Sequence, residues 1–160
     1  MLKSEDKYDI GFDHRNLLRV LKAIDSTINF LRMESPVKKD FFTNLKRRIR
    51  EGMNITITKK HIQQLLFIND ELFKIEWAEN ASIKDFDLLI ILPRFTSEDA
   101  RVKDTRKRIV HYLIAMEIEY LEKHPEFEKE NCEKWAQGFD PNTCEIPIKL
   151  LPSHPTLKNA

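Results

Sequence analysis

Glycine is nearly absent. Gly11, Gly52 and Gly138 are all that the 160 residues hold. They lie too far apart for a glycine-rich phosphate loop, which excludes the nucleotide-binding fingerprints. Cysteine is equally scarce. Cys132 and Cys144 form no CxxC and have no paired histidines nearby, so neither a zinc knuckle nor a disulfide framework is indicated. Met1 to Asp6 lacks an apolar signal core. No export is expected, and the two thiols read as reduced thiols of an intracellular protein. The longest apolar run, Leu88 to Leu92, is far too short to cross a bilayer, so no membrane partner is expected. Catalytic signatures are missing too. The five histidines form no i, i+4 pair, there is no HExxH, and no serine sits in a GxSxG elbow. The expectation is a protein that is not an enzyme and carries neither cofactor nor metal.

What the chain does contain suits one soluble domain. Hydrophobic residues at 41% can fill a core, and charged residues at 33% can clothe it. The net charge of +1 points to no polyanion partner. Its distribution is more informative. Pro36 to His61 has a surplus of six positive charges, Arg101 to Arg108 a surplus of four, and Glu117 to Lys134 a deficit of four. Patches of opposite sign fit partners of opposite sign, although any one run also fits a solvated helix face.

Residues 1–12 read as a flexible lead-in. From Asp13 to Met33, Leu17, Leu21, Ile24, Ile28 and Leu31 recur at helical spacing. Ser35-Pro36 suits the start of a second helix, with Phe42, Leu45, Ile49 and Met53 inward and Gly52 as its stop. Ile55 to Ile57 is a β-branched scrap. Thr58 caps a third helix to about Ile68, with Lys60, Gln63, Gln64 and Phe67 outward. Phe73, Ile75 and Trp77 alternate, as do Phe86, Leu88, Ile90 and Leu92, and residues 79–85 form the hairpin tip between them. Ser97 caps a long helix to about His124, buried mainly along its second half. The tail from Cys132 is extended and punctuated by proline.

This order predicts an α+β, mostly helical fold: a winged helix with a three-helix helix-turn-helix core, a β-hairpin wing, a long C-terminal helix and an extended tail. The domain is expected over 13–151, with 132–151 as a docked tail whose part from Trp135 to Pro147 lies back over the long helix, next to Tyr112 or Tyr120, and 152–160 flexible. Lys46, Arg47, Arg50, Lys59 and Lys60 form the candidate surface for a partner protein or for weak non-specific DNA contact. Leu18, Val20 and Phe30 are the apolar residues left over from the first stripe, and so the candidates for a coiled-coil or helix contact. Trp135, Phe139, Ile146 and Pro147 form the candidate tail surface. A winged-helix transcription regulator is the competing reading.

Four segments carry a resemblance. They are Leu21-Lys22-Ala23-Ile24-Asp25-Ser26-Thr27-Ile28-Asn29-Phe30-Leu31, then Phe42, Leu45 and Ile49 with Lys46, Arg47 and Arg48. Ile62, Gln64, Leu65 and Ile68 follow, and last come Trp135, Phe139 and Glu145-Ile146-Pro147-Ile148. In order and spacing they resemble the central domain of the eukaryotic chromatin licensing and DNA replication factor family, over about Phe12 to Pro152. The resemblance implies a nuclear, non-catalytic licensing factor. Such a protein binds the minichromosome maintenance helicase and helps its loading at origins with the origin recognition complex assembly. It also allows a geminin-like inhibitor as a partner.

Overall fold

The computed structural model describes residues 8–94, 97–127 and 134–155. Within them lie four α-helices and one small antiparallel sheet, an α+β fold that is about half helical. The elements are α1 (Phe12–Leu31), β1 (Lys39–Phe41), α2 (Phe42–Met53), α3 (Lys59–Ile68), β2 (Lys74–Asn80), β3 (Asp85–Ile91) and α4 (Glu98–Lys123). A short 3-10 turn, Pro141–Thr143, punctuates the tail. Among the described residues no helix is long and apolar enough to cross a membrane.

Helix α1 is the central element and packs against α2, α3 and α4. A helix enclosed on several sides must bury more than one stripe. For that reason Val20, expected on the surface, is fully buried beside Leu17, Leu21, Ala23, Ile24 and Ile28. Leu18 lies half-buried against the core, and Phe30 stands out at 74% exposure. The looseness expected of residues 1–12 does not hold from Tyr8 onward, and residues 1–7 lie outside the described residues. Tyr8 and Ile10 are buried in the core, and Arg106 Nη2 donates to the Tyr8 carbonyl at 2.7 Å.

The second helix starts six residues later than Pro36. Ser35 closes a local turn instead, its hydroxyl donating to the Val37 carbonyl at 2.9 Å. Lys39, Asp40 and Phe41 then pair with Ile91, Ile90 and Leu89 as strand β1. Asp87 on β3 takes the free Thr43 N–H at 3.2 Å, and the buried Asp40 carboxylate accepts from Asn44 at 2.8 Å, so two carboxylates fix the start of α2. Gly52 is inside the helix, and Asn54, at φ 56°, ends it in the left-handed region that asparagine tolerates. Met53 is therefore exposed rather than inward. Ile55 to Ile57 joins no strand, and Ile57 simply plugs the core.

The sheet order is β1-β3-β2, with Ile75 opposite Ile90 and Trp77 opposite Leu88. As the middle strand, β3 buries Asp87, Leu88, Leu89 and Ile90 consecutively. The alternation expected for it is thus overridden. Ser97 caps α4, accepting from the Ala100 N–H at 3.4 Å. That helix buries Arg101, Thr105, Ile109, Val110, Leu113 and Glu117, so its buried positions run from its first turns to Glu117 and are not concentrated in its second half.

Candidate functional site

Helix α3 is held at its start by a reciprocal cap. The Thr58 hydroxyl accepts the His61 N–H at 3.1 Å, and His61 Nδ1 accepts the Thr58 N–H at 3.1 Å. Ile62, Leu65 and Leu66 turn inward. Of the residues expected to face solvent, Lys60 and Phe67 do, but the tail crosses the helix at Gln63 and Gln64. Gln64 is only 8% exposed, and its amide donates to the Ile146 carbonyl at 2.8 Å. The Lys149 N–H donates to the Gln63 carbonyl at 3.0 Å. Lys60 pairs with Glu145, and Ile146 is buried in the core. The tail then reaches the hairpin. Trp77 Nε1 donates to the Pro152 carbonyl at 2.7 Å, and the His154 ring meets those of Trp77 and Phe86 at 4.7 and 6.0 Å. Residues 152–155, expected to be loose, are therefore seated on the β-ribbon.

Two further anchors precede this strap. In the first, Trp135 lies 4.3 Å from Tyr8 and donates to the Asp9 carbonyl, while Phe139 meets Tyr120 at 5.8 Å. The buried Glu117 carboxylate accepts the Ala136 N–H at 2.7 Å. At this anchor the tail lies over the long helix. In the second, Asn142 accepts the Phe12 N–H at 2.8 Å, capping α1, and His14 Nε2 donates to the Cys144 carbonyl at 2.7 Å. Beyond these anchors Pro147 is exposed. Cys132 lies outside the described residues.

Lys46, Arg47 and Arg50 do come together, on the outer face of α2. With Thr43 and Thr56 they border a shallow hollow of about 410 Å³. Arg47 reaches Asn44 at 2.9 Å and Glu51 at 3.8 Å, and Arg50 reaches Thr56 at 2.9 Å. Lys59 and Lys60 are engaged elsewhere. Lys59 lies over the Trp77 ring at 5.6 Å, and Lys60 is held by Glu145.

A cavity of about 480 Å³ sits where α1, α3 and the tail converge, lined by Asp13, His14, His61, Asn142 and Cys144 among others. Its groups are committed or quenched. Both ring nitrogens of His14 are bonded, Nδ1 accepting from the Gly11 N–H at 2.9 Å. Burial pushes the Cys144 thiol above its ordinary value, which keeps it protonated and poorly nucleophilic. Burial, together with the neighbouring Lys60 charge, lowers the His61 value. Among the described residues no group of three or more His, Cys, Asp or Glu could hold a metal ion.

The sequence reading missed one buried ion pair. Arg101 Nε donates to Asp25 at 2.6 Å, and Nη2 donates to Asp25 at 3.3 Å and to the Leu72 carbonyl at 2.7 Å. Burial raises the Asp25 value, and Arg101 opposes that shift. The signal was an acidic residue lying on the apolar stripe, between Leu21 and Ile28. This pair ties α1 to α4 and to the start of the hairpin.

No protein-family model matches the chain, and no curated protein matches it.

Proposed function

We propose that the chain is a non-catalytic, protein-binding winged-helix domain of the replication-licensing kind. It binds the minichromosome maintenance helicase in the nucleus and helps its loading at origins with the origin recognition complex assembly. The element order α1-β1-α2-α3-β2-β3 with sheet order β1-β3-β2 supports the winged-helix reading. One observation carries the choice of protein over DNA as partner. The helix that reads base edges in DNA-binding proteins of this architecture is here bonded at Gln63 and Gln64 to the chain's own tail, and the tail's end rests on Trp77 and Phe86 of the hairpin beside it. The basic face of α2 stays open, and three cations within one helical turn suit an acidic protein surface.

The test is a pull-down from native extract with the intact chain and with a Lys46→Glu, Arg47→Glu, Arg50→Glu triple variant. Helicase subunits should be retained by the first and lost from the second. Thermal unfolding should be unchanged, because exposed charges contribute little to stability. An eluate of the intact chain without helicase subunits overturns the reading. Tight binding to duplex DNA, weakening steeply with salt, would instead favour the transcription-regulator reading.

A further inference from the structure

The strap differs in character from the two anchors before it. It crosses α3 as an extended chain, and most of its side chains from Glu145 to Leu150 point to solvent. Its seat is made of few elements. One apolar side chain, Ile146, enters the core. The Gln64 amide takes a strap carbonyl and the Gln63 carbonyl takes a strap N–H. Lys60 takes the acidic side chain just before Ile146, and the Trp77 indole takes a carbonyl six residues after it. These are the elements by which a groove recognises an extended peptide: main-chain bonds for affinity, one side-chain pocket and one charge for specificity.

We propose that the path across α3, from its junction with α1 to the β2–β3 hairpin, is a docking site for an extended partner segment with an acidic residue, then a β-branched residue, then proline. In this structure it is closed by the chain's own Glu145-Ile146-Pro147. The proposal does not use the basic face of α2, but it shares with the licensing reading the observation that the chain's own tail is seated on α3. The anchors at Trp135 and Asn142 precede the strap and do not use its seat, so they hold it as a tethered competitor for that seat. A tethered strap competes at an effective concentration of about millimolar, so only a partner segment that is abundant or better matched displaces it.

The test uses the full chain and a fluorescent peptide of residues 144–155 carrying Cys144→Ser. In the chain, Ile146→Ser unseats the strap while leaving Gln64, Lys60 and Trp77 in place. The peptide should bind this variant at least about tenfold more tightly than the wild-type chain, whose strap competes. A peptide with Glu145→Lys should bind the Ile146→Ser chain less tightly, and should recover on an Ile146→Ser, Lys60→Glu chain. The Trp77 indole resonance reports whether the groove is filled. If Ile146→Ser does not fold, the exposed Glu145→Lys serves as the loosening change, with an expected gain of about threefold. Equal affinity for wild-type and loosened chains overturns the proposal. So does a wild-type dimer in which tails exchange between copies, or displacement of the peptide by an oligonucleotide at equal concentration.

Discussion

Gln64 on α3 and Ile146 in the tail are joined by one hydrogen bond, side-chain amide to main-chain carbonyl at 2.8 Å, buried and spanning 82 positions of sequence. It converts part of the outward surface of α3 into an internal contact. Ile146 is drawn into the core at the same point, so the bond and the apolar plug reinforce each other.

Replacing Gln64 by Leu keeps the bulk of the side chain and deletes the donor. The Ile146 carbonyl is then left without its protein partner. The expected loss is about 1–3 kcal/mol, read as a lower urea midpoint with an unchanged slope. Amide exchange at Lys149 should quicken in the same variant, because its bond to Gln63 depends on the same seating. Unchanged stability together with unchanged exchange would show that the strap does not depend on this bond.

The Asp25–Arg101 pair predicts a strong asymmetry. Arg101→Met strands a buried carboxylate and should cost about 3–5 kcal/mol. Combining it with Asp25→Leu removes both charges and should restore most of that loss, since an apolar pair of similar volume often replaces a buried ion pair without cost. Denaturant midpoints of the two single variants and the double variant measure the coupling. Additive losses would mean that the two side chains do not act as a pair.

How far the sequence foretold this fold depends on whether a feature is local. The stripe of Leu17, Leu21, Ile24 and Ile28, the Thr58 and Ser97 caps and the pairing of β2 with β3 were legible because periodicity and capping are local. Val20 was misplaced because one helix's pattern does not tell how many neighbours enclose it. Strand β1 was missed because its three residues have no pattern of their own and become a strand only beside β3. The tail's aromatic anchors could be anticipated from Trp135 and Phe139 in a polar stretch. Its path could not be, because the bonds that set it join main-chain groups to Gln64, Gln63 and Trp77, and main-chain groups leave no mark in composition.

Gly11 marks a close approach rather than an unusual backbone. A Cβ there would lie 2.8 Å from His14 Nδ1 and 2.9 Å from Asn142 Oδ1. Both atoms already hold bonds, to the Gly11 and Phe12 N–H groups, so neither can retreat freely. Gly11→Ala should destabilise by roughly 1–3 kcal/mol through strain and broken caps. Gly52, inside α2 with nothing near the position of its Cβ, is the control. Gly52→Ala should stabilise by about 0.5–1 kcal/mol through helix propensity. A loss at Gly52 or none at Gly11, by thermal or urea unfolding, contradicts this account.

His61 predicts how stability responds to acid. Its value in the folded chain lies below the ordinary 6.5, first because burial disfavours the charged ring and then because Lys60 repels it, with Asp13 opposing. Geometry acts in the same direction, since Nδ1 must stay unprotonated to accept the Thr58 N–H. The unfolded chain therefore binds this proton more readily than the folded one. Stability from this group is fully present above about pH 6.5 and is lost as the pH falls through the lower folded value. His61→Gln keeps an acceptor for the Thr58 N–H, as in a glutamine capping box, and cannot titrate. Other titrating groups are common to both proteins and cancel in the comparison. Urea midpoints measured from about pH 7.5 down to about pH 5 should start close together and then diverge, with the wild type falling faster. Parallel curves across that range would show that the protonated ring is tolerated at the start of α3, and that the cap does not depend on a neutral imidazole.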